Sequence, residues 1–345
     1  MRKLATIQKV DEIKGIEGAD FIQIARIKGW QCIIKKGEIN AGDKVIYCEI
    51  DSFLPVVPQF EFLRKSSYKK LPTGEEGFRI RTMKMRKVLS QGLALPLSLF
   101  PEIPVDIGID EDISELLNIK LYEPPIPACL SGIVKGNFPG YISKSDQERV
   151  QSLPNYFSDY KEIEFEQTEK IDGSSTTYYW YDEVFGVCSR NLELKETEEN
   201  TQWKVAKELG IKESLDKLRK NVALQGELVG EGVNKNPLKI KGQEWHLFDV
   251  YDIDRKRYMT PEERRELIRL MDNPKIKHVP ILNERIKIFE ICNSMDTLLY
   301  YAEGRSRLNN NIEREGIVFK SNGLVDGQVL SFKVISNNYL LKHEE

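Results

Sequence analysis

The stretch Lys170-Ile171-Asp172-Gly173 puts a primary amine two residues from a carboxylate. A lysine of ordinary pKa, about 10.4, is almost wholly protonated at neutral pH, so it attacks phosphorus only where neighbouring cations or burial lower that value. A divalent metal beside the amine would do so. Magnesium prefers oxygen ligands and keeps much of its water, which calls for carboxylates that hold the hydrated ion. Downstream the chain offers, in order, Ser189-Arg190-Asn191, Gln225-Gly226-Glu227-Leu228-Val229-Gly230, Leu247-Phe248-Asp249-Val250-Tyr251-Asp252, Glu315-Gly316-Ile317-Val318-Phe319-Lys320 and Ser331-Phe332-Lys333-Val334-Ile335-Ser336. Asp172, Glu227 and Glu315 supply oxygens for a metal. Lys333 and Lys320, with Arg149 and Arg190 behind them, supply the cations that charge developing on a phosphate requires.

This ordered series resembles motifs I, Ia, III, IIIa, IV and V of the covalent nucleotidyltransferase superfamily, the polynucleotide ligases and mRNA capping enzymes, over residues 149–336. The resemblance implies that Lys170 attacks the α-phosphate of ATP to give lysyl-AMP, that AMP passes to a 5′-phosphate end, and that a 3′-hydroxyl then displaces AMP and seals the strand. It implies catalytic roles for Lys170, Asp172, Glu227, Glu315 and Lys333, with Mg2+ or Mn2+ held by the three acids. Lys333, in motif V, would contact the α-phosphate, and Arg190 would meet nucleotide or substrate phosphate. Phe248, at the motif IIIa position, would stack on the purine with Val318 opposite, and Arg149 and Lys320 complete the ATP-binding set. The usual motif V has two lysines one residue apart. Here Ile335 stands at the second position, which leaves the division of labour between Lys333 and Lys320 open.

Strands must hold these residues. Ile163, Phe165 and Gln167 alternate with Glu164, Glu166 and Thr168, and a β-rich run follows over 175–181, so Lys170 to Gly173 falls in a turn between strands. Further strands are expected at 222–229, 245–251, 316–320 and 330–335. Thr260-Pro261-Glu262-Glu263 is a capping box with proline at the first helical position, opening a helix that runs to Met271. A short helix is expected across 145–151. The second half reads as α+β with antiparallel sheets, an ATP-grasp-like nucleotidyltransferase domain spanning 126–345. The Pro-rich Glu123-Pro124-Pro125-Ile126-Pro127 marks its start.

Residues 4–99 consist of short apolar runs such as Phe21 to Ile27, Gln31 to Ile34 and Lys44 to Cys48, broken by Gly-, Asn- and Asp-bearing turns. A small all-β barrel within a domain spanning 1–125 follows. With Gly18-Ala19-Asp20 and Ala41-Gly42-Asp43, this segment resembles the OB barrels that bind tRNA. Nine cations against Glu75 and Glu76 make residues 64–87 locally +7. Tyr68 and Phe78 sit among them, so stacking and phosphate neutralisation on RNA are expected there, with Lys69, Lys70, Arg79, Arg81, Lys84 and Arg86 as contacts.

The 345 residues are 40% hydrophobic, enough for about two domains with cores, and 51 Lys and Arg against 54 Asp and Glu give a net charge of −3. A polyanion must therefore bind a local patch. No apolar stretch approaches the ~20 residues that span a bilayer, and the N-terminus lacks a signal-peptide core, so a soluble intracellular protein is expected. Cys32, Cys48, Cys129, Cys188 and Cys292, and His246, His278 and His343, are scattered. Reduced buried thiols, no zinc site and no Cys or His catalysis are expected.

Only 12 residues follow Lys333, so the trailing barrel of DNA ligases and capping enzymes is not expected. A leading barrel instead resembles the ATP-dependent RNA ligases of family 5, and implies a nicked RNA duplex as partner. Two other readings stay open: a GTP-using capping guanylyltransferase, and a non-catalytic RNA-binding protein with a decayed transferase domain.

Overall fold

The computed structural model describes residues 2–123, 132–153 and 155–343. Contacts divide the chain into a unit of residues 1–126 with 340–345 and a second unit of residues 127–339. The expected boundary at 125/126 and Cys129 lie outside the described residues. Cys32, Cys48, Cys188 and Cys292 are buried free thiols.

The first unit is built from short antiparallel strands. Ile22–Ile27 and Trp30–Lys35 form a hairpin whose two turn residues, Lys28 and Gly29, both have positive φ, the conformation that matches strand twist. Alternate residues of both strands, including Ala25, Ile27, Trp30, Cys32 and Ile34, are buried. Ala5–Lys9, Lys44–Cys48 and Leu93–Pro96 make a second three-stranded sheet. The basic stretch, residues 64–87, is built into regular elements. Its residues form the strands Tyr68–Lys70 and Glu76–Arg79 of a four-stranded sheet and the hairpin Thr82–Met85 with Val88–Gln91. Phe78, expected to stack on RNA, is fully buried in the core, because its strand position points inward between Leu54 and Tyr68.

Two sheets make the second unit. The larger runs in the order Val134–Asn137, Leu192–Leu194, Val184–Ser189, Ser174–Tyr181, Val222–Gly230, Gln243–Asp252, Arg257–Tyr258. The smaller runs Glu148–Arg149, Gln328–Ile335, Gly316–Val325, Phe165–Lys170, Ile281–Ile286. Pairing is antiparallel except where Glu148–Arg149 lies along Gln328–Ile335 and Lys277–His278 along Gln243–Asp252. The helices Thr201–Leu209, Ile211–Leu218 and Pro261–Met271 bury Val205, Ile211, Leu215, Leu267 and Met271 against the larger sheet. Thr260 and Glu263 form the reciprocal capping box that the sequence predicts.

Two expectations change. Residues 145–151 are not helical: Glu148 and Arg149 are drawn into a strand by ladder pairing, and only a single 3-10 turn, Val150–Ser152, follows. The strand containing Glu166 is buried on both faces rather than one. It is a central strand of the smaller sheet, and the fully buried Glu166 carboxylate is met by Arg264, also fully buried, and by Arg265 at 2.6 Å.

Candidate active site

Lys170 ends a strand of the smaller sheet and Ser174 begins one in the larger, so the Lys-x-Asp-Gly turn is the crossing from one sheet to the other. The crossing is tight. A Cβ on Gly173 would sit 2.3 Å from the Leu228 carbonyl oxygen, so only glycine lets the turn lie against the strand that carries Glu227.

Strand register then assembles the other groups. Lys170 pairs with Gly316, which brings the preceding Glu315 back so that Lys170 Nζ donates to its Oε2 at 2.8 Å. Lys333 pairs with Val318 on one side and with Arg149 on the other. In the larger sheet Ser175 pairs with Glu227, whose carboxylate accepts the Gly173 N–H. Phe248 is the extra residue of a β-bulge: Gln225 pairs with Asp249 and Gly226 with Leu247, leaving Phe248 re-aimed toward the cavity.

The result is one cavity of about 430 Å³, a size suited to a small-molecule ligand. Of the sequence-predicted site residues, Lys170, Asp172, Arg190, Glu227, Phe248, Glu315, Val318, Lys320 and Lys333 all line it. Arg149 is not among the lining residues and lies beside Lys333 on the neighbouring strand. Arg190 is on the exposed rim, 3.0 Å from Asp146.

Charge in this cavity is strongly coupled. Burial alone would lower the Lys170 ammonium, but Glu315, Glu227 and Asp172 together hold it above the ordinary lysine value. Burial pushes Glu227 up to about 8, with Lys170 opposing and Glu315 and Asp172 adding to the rise. Burial, reinforced by the Lys170 and Arg149 cations, draws Lys333 down to about 7. The acids therefore crowd negative charge that a further cation would relieve.

Among the described residues, no group of three or more acidic, histidine or cysteine side chains converges closely enough to cage a bare metal ion. Asp172, Glu227 and Glu315 all face the cavity as candidates to hold a hydrated ion. The donor set fits a hydrated ion that takes one or two carboxylates and completes its shell with water and phosphate oxygens, as magnesium-type sites do.

Lys320 lines the cavity with its amine already engaged by protein groups. Its amine is buried, ion-pairs with Asp249 at 2.7 Å, donates to the Phe248 carbonyl and lies 5.4 Å from the Phe248 ring centroid. It props the bulge from behind. Asp249 also accepts from Gln147 at 3.2 Å. Three contributors went unassigned in the sequence reading. Asp249 lay within a quoted motif, whereas Asn234 and Tyr339 reach Asp172 from remote segments that carry no spacing signal.

Of the expected RNA contacts in the first unit, Lys69, Lys70, Arg81, Lys84 and Arg86 are exposed, with Lys70 2.9 Å from Glu76. Arg79 is half-buried, bound to Asp51 at 2.8 Å and 4.5 Å over the Tyr122 ring. No helix is long and apolar enough to cross a membrane among the described residues.

Comparison with known proteins gives two family matches, an OB-fold domain over residues 4–97 and RNA ligase over residues 163–335. No curated protein matches. Among solved structures, a variant of a Naegleria gruberi RNA ligase with AMP and Mn is 44% identical with a TM-score of 0.84, covering 99% of each chain. A variant of that ligase with ATP and Mn gives 44%, 0.83 and 99% of each chain. The ligase with PPi gives 45% and 0.82, covering 100% of this chain and 99% of that chain.

Proposed function

We propose, from the premise that this chain belongs to the RNA ligase family and is an ATP-dependent RNA ligase with a leading OB-fold domain, that it seals 3′-hydroxyl/5′-phosphate nicks in duplex RNA by way of lysyl-AMP on Lys170. The observation that carries the reading is the placement of the Lys170 amine at the sheet-to-sheet crossing. There it meets Glu315 directly and faces Glu227 and Asp172 in the cavity that also contains Phe248 and Lys333.

In this reading Phe248 and Val318 hold the adenine, and Lys333, backed by Arg149, meets the α-phosphate. Lys170 forms the phosphorus–nitrogen bond as pyrophosphate leaves. A Mn2+ or Mg2+ ion accompanying ATP would be held by Asp172, Glu227 and Glu315, in part through its water, and would supply positive charge that favours the neutral amine and offsets phosphate charge. Arg190, paired with the exposed Asp146 on the rim, exchanges that acid for the 5′-phosphate of the RNA. Glu315 keeps the amine aimed before reaction. The ligase relatives with ATP, AMP, PPi and Mn support this assignment of ligands.

The capping alternative is tested with the same substrates. Nicked duplexes with RNA or DNA on either side of the nick are incubated with ATP or GTP. Sealing of nicked RNA with ATP alone is expected; sealing or protein labelling with GTP alone would favour capping chemistry. With Lys69, Arg81 and Lys84 changed to Glu, sealing should fall at least tenfold while lysyl-AMP labelling stays near the parent level. Sealing at the parent level would remove the RNA-binding role of these residues, and equal loss of both would mean misfolding.

A further inference from the structure

Asp172 is the acid of the Lys-x-Asp-Gly turn, and both of its oxygens are engaged by neutral donors from distant segments. Asn234 Nδ2 donates to Oδ1 at 2.6 Å, and the Tyr339 hydroxyl donates to Oδ2 at 2.6 Å. Neither donor brings a charge, and together they fix the rotation of the carboxylate. Each oxygen retains a second lone-pair site for a water or a cation.

The two donors are themselves held. Asn234, Lys235, Asn236 and Lys239 have φ of 42°, 59°, 50° and 53°, a left-handed series that asparagine tolerates and that is costly for the two lysines. The loop is kept in that shape by Asn236, which bonds Ile240 through both its amide nitrogen and oxygen at 2.9 and 3.0 Å, and by Asn309 Nδ2 on the Leu238 carbonyl at 2.9 Å. Strain held by surrounding bonds beside a catalytic turn points to a positional task for the residue it presents.

Tyr339 comes from the corner that follows Lys333. There Ser336 N–H donates to the Glu315 carbonyl at 2.9 Å, while Ser336 Oγ accepts the Tyr339 N–H at 3.1 Å. Tyr339 and Ser336 are only 4% and 2% exposed. One short buried segment thus fixes the backbone of Glu315 and the carboxylate of Asp172 together.

We propose that Tyr339 and Asn234 are positioning residues that lock the Asp172 carboxylate, and that the Ser336–Tyr339 corner gives Asp172 and Glu315 a common mount which sets their spacing for a hydrated divalent cation. This rests on the reading of the cavity as a metal–nucleotide site. A carboxylate free to rotate would have to be ordered again at each binding event, and loss of such outer partners typically costs 10–100-fold in metal affinity.

The test is Mn2+ binding itself, read from the free-ion electron paramagnetic resonance signal, with the full-length protein saturated with α,β-methylene-ATP, which cannot transfer AMP. Tyr339→Phe removes one oxygen and keeps the ring; Asn234→Ala removes the other donor. Each should raise the Mn2+ dissociation constant about tenfold, with the parent circular dichroism spectrum retained. Parent-like Mn2+ affinity in both folded variants would overturn the positioning role. Absence of saturable Mn2+ binding in the unaltered protein would instead overturn the metal–nucleotide reading, and this proposal with it. If Asn234→Ala proves unfolded, Tyr339→Phe alone decides.

Discussion

At the scale of single residues, the cavity sorts its lysines by what neutralises them. Lys170 faces three acids and Lys333 faces cations, whereas Lys320 is committed to Asp249 and a main-chain carbonyl. A buried charge whose partner is removed costs far more than the intact pair contributes, because the remaining ion is left desolvated. Lys320→Met should therefore lower the unfolding free energy by roughly 3–5 kcal/mol, and adding Asp249→Leu should recover most of it. Urea titrations of the single and double variants measure this. A Lys320→Met protein of parent stability that nonetheless fails to bind ATP would make Lys320 a phosphate contact instead of a prop.

At the scale of elements, the antiparallel ladders do most of the assembly, and one helix shows how local chemistry fixes an end. The Pro261–Met271 helix starts at Thr260, and Glu263 both closes the capping box and is gripped by Arg257 at 2.6 and 2.7 Å. The Arg257 guanidinium, with some opposition from burial, holds the Glu263 carboxyl down at about 2. A carboxyl with a lowered folded-state pKa stabilises fully above its ordinary value near about 4.5 and loses that contribution as pH falls through about 2. Thr260→Ala should cost about 1 kcal/mol at neutral pH. Glu263→Gln should flatten the decline of stability between about pH 4.5 and 2 relative to the parent protein. Thermal melts at neutral pH check the first and melts across that window the second; parallel acid limbs would mean the Arg257 contact forms equally in the unfolded chain.

At the scale of the whole molecule, the sequence carried what is local and repetitive. The strands at Val222–Gly230, Gln243–Asp252 and Gly316–Val325, the capped helix and the Lys-x-Asp-Gly turn were legible because period and turn chemistry are written in neighbouring residues. Residues 145–151 misled because a ladder partner near residue 332 overrides their helical composition. Phe78 misled because strand position, not composition, decides whether a ring faces solvent or core. The Asp172 partners were invisible: Asn234 is 62 and Tyr339 167 residues away, and only the fold sets that separation to hydrogen-bond length. In the proposed reaction AMP is first carried by one amine at the crossing of the two sheets. The direct measurement is incubation with Mn2+ and α-phosphate-labelled ATP, followed by proteolysis and mapping of the labelled peptide. The label should reside on Lys170 as a phosphoramidate, stable to base and labile to acid, and Lys170→Ala should carry none. A labelled Lys170→Ala protein, or label mapped to any other residue, would contradict the account.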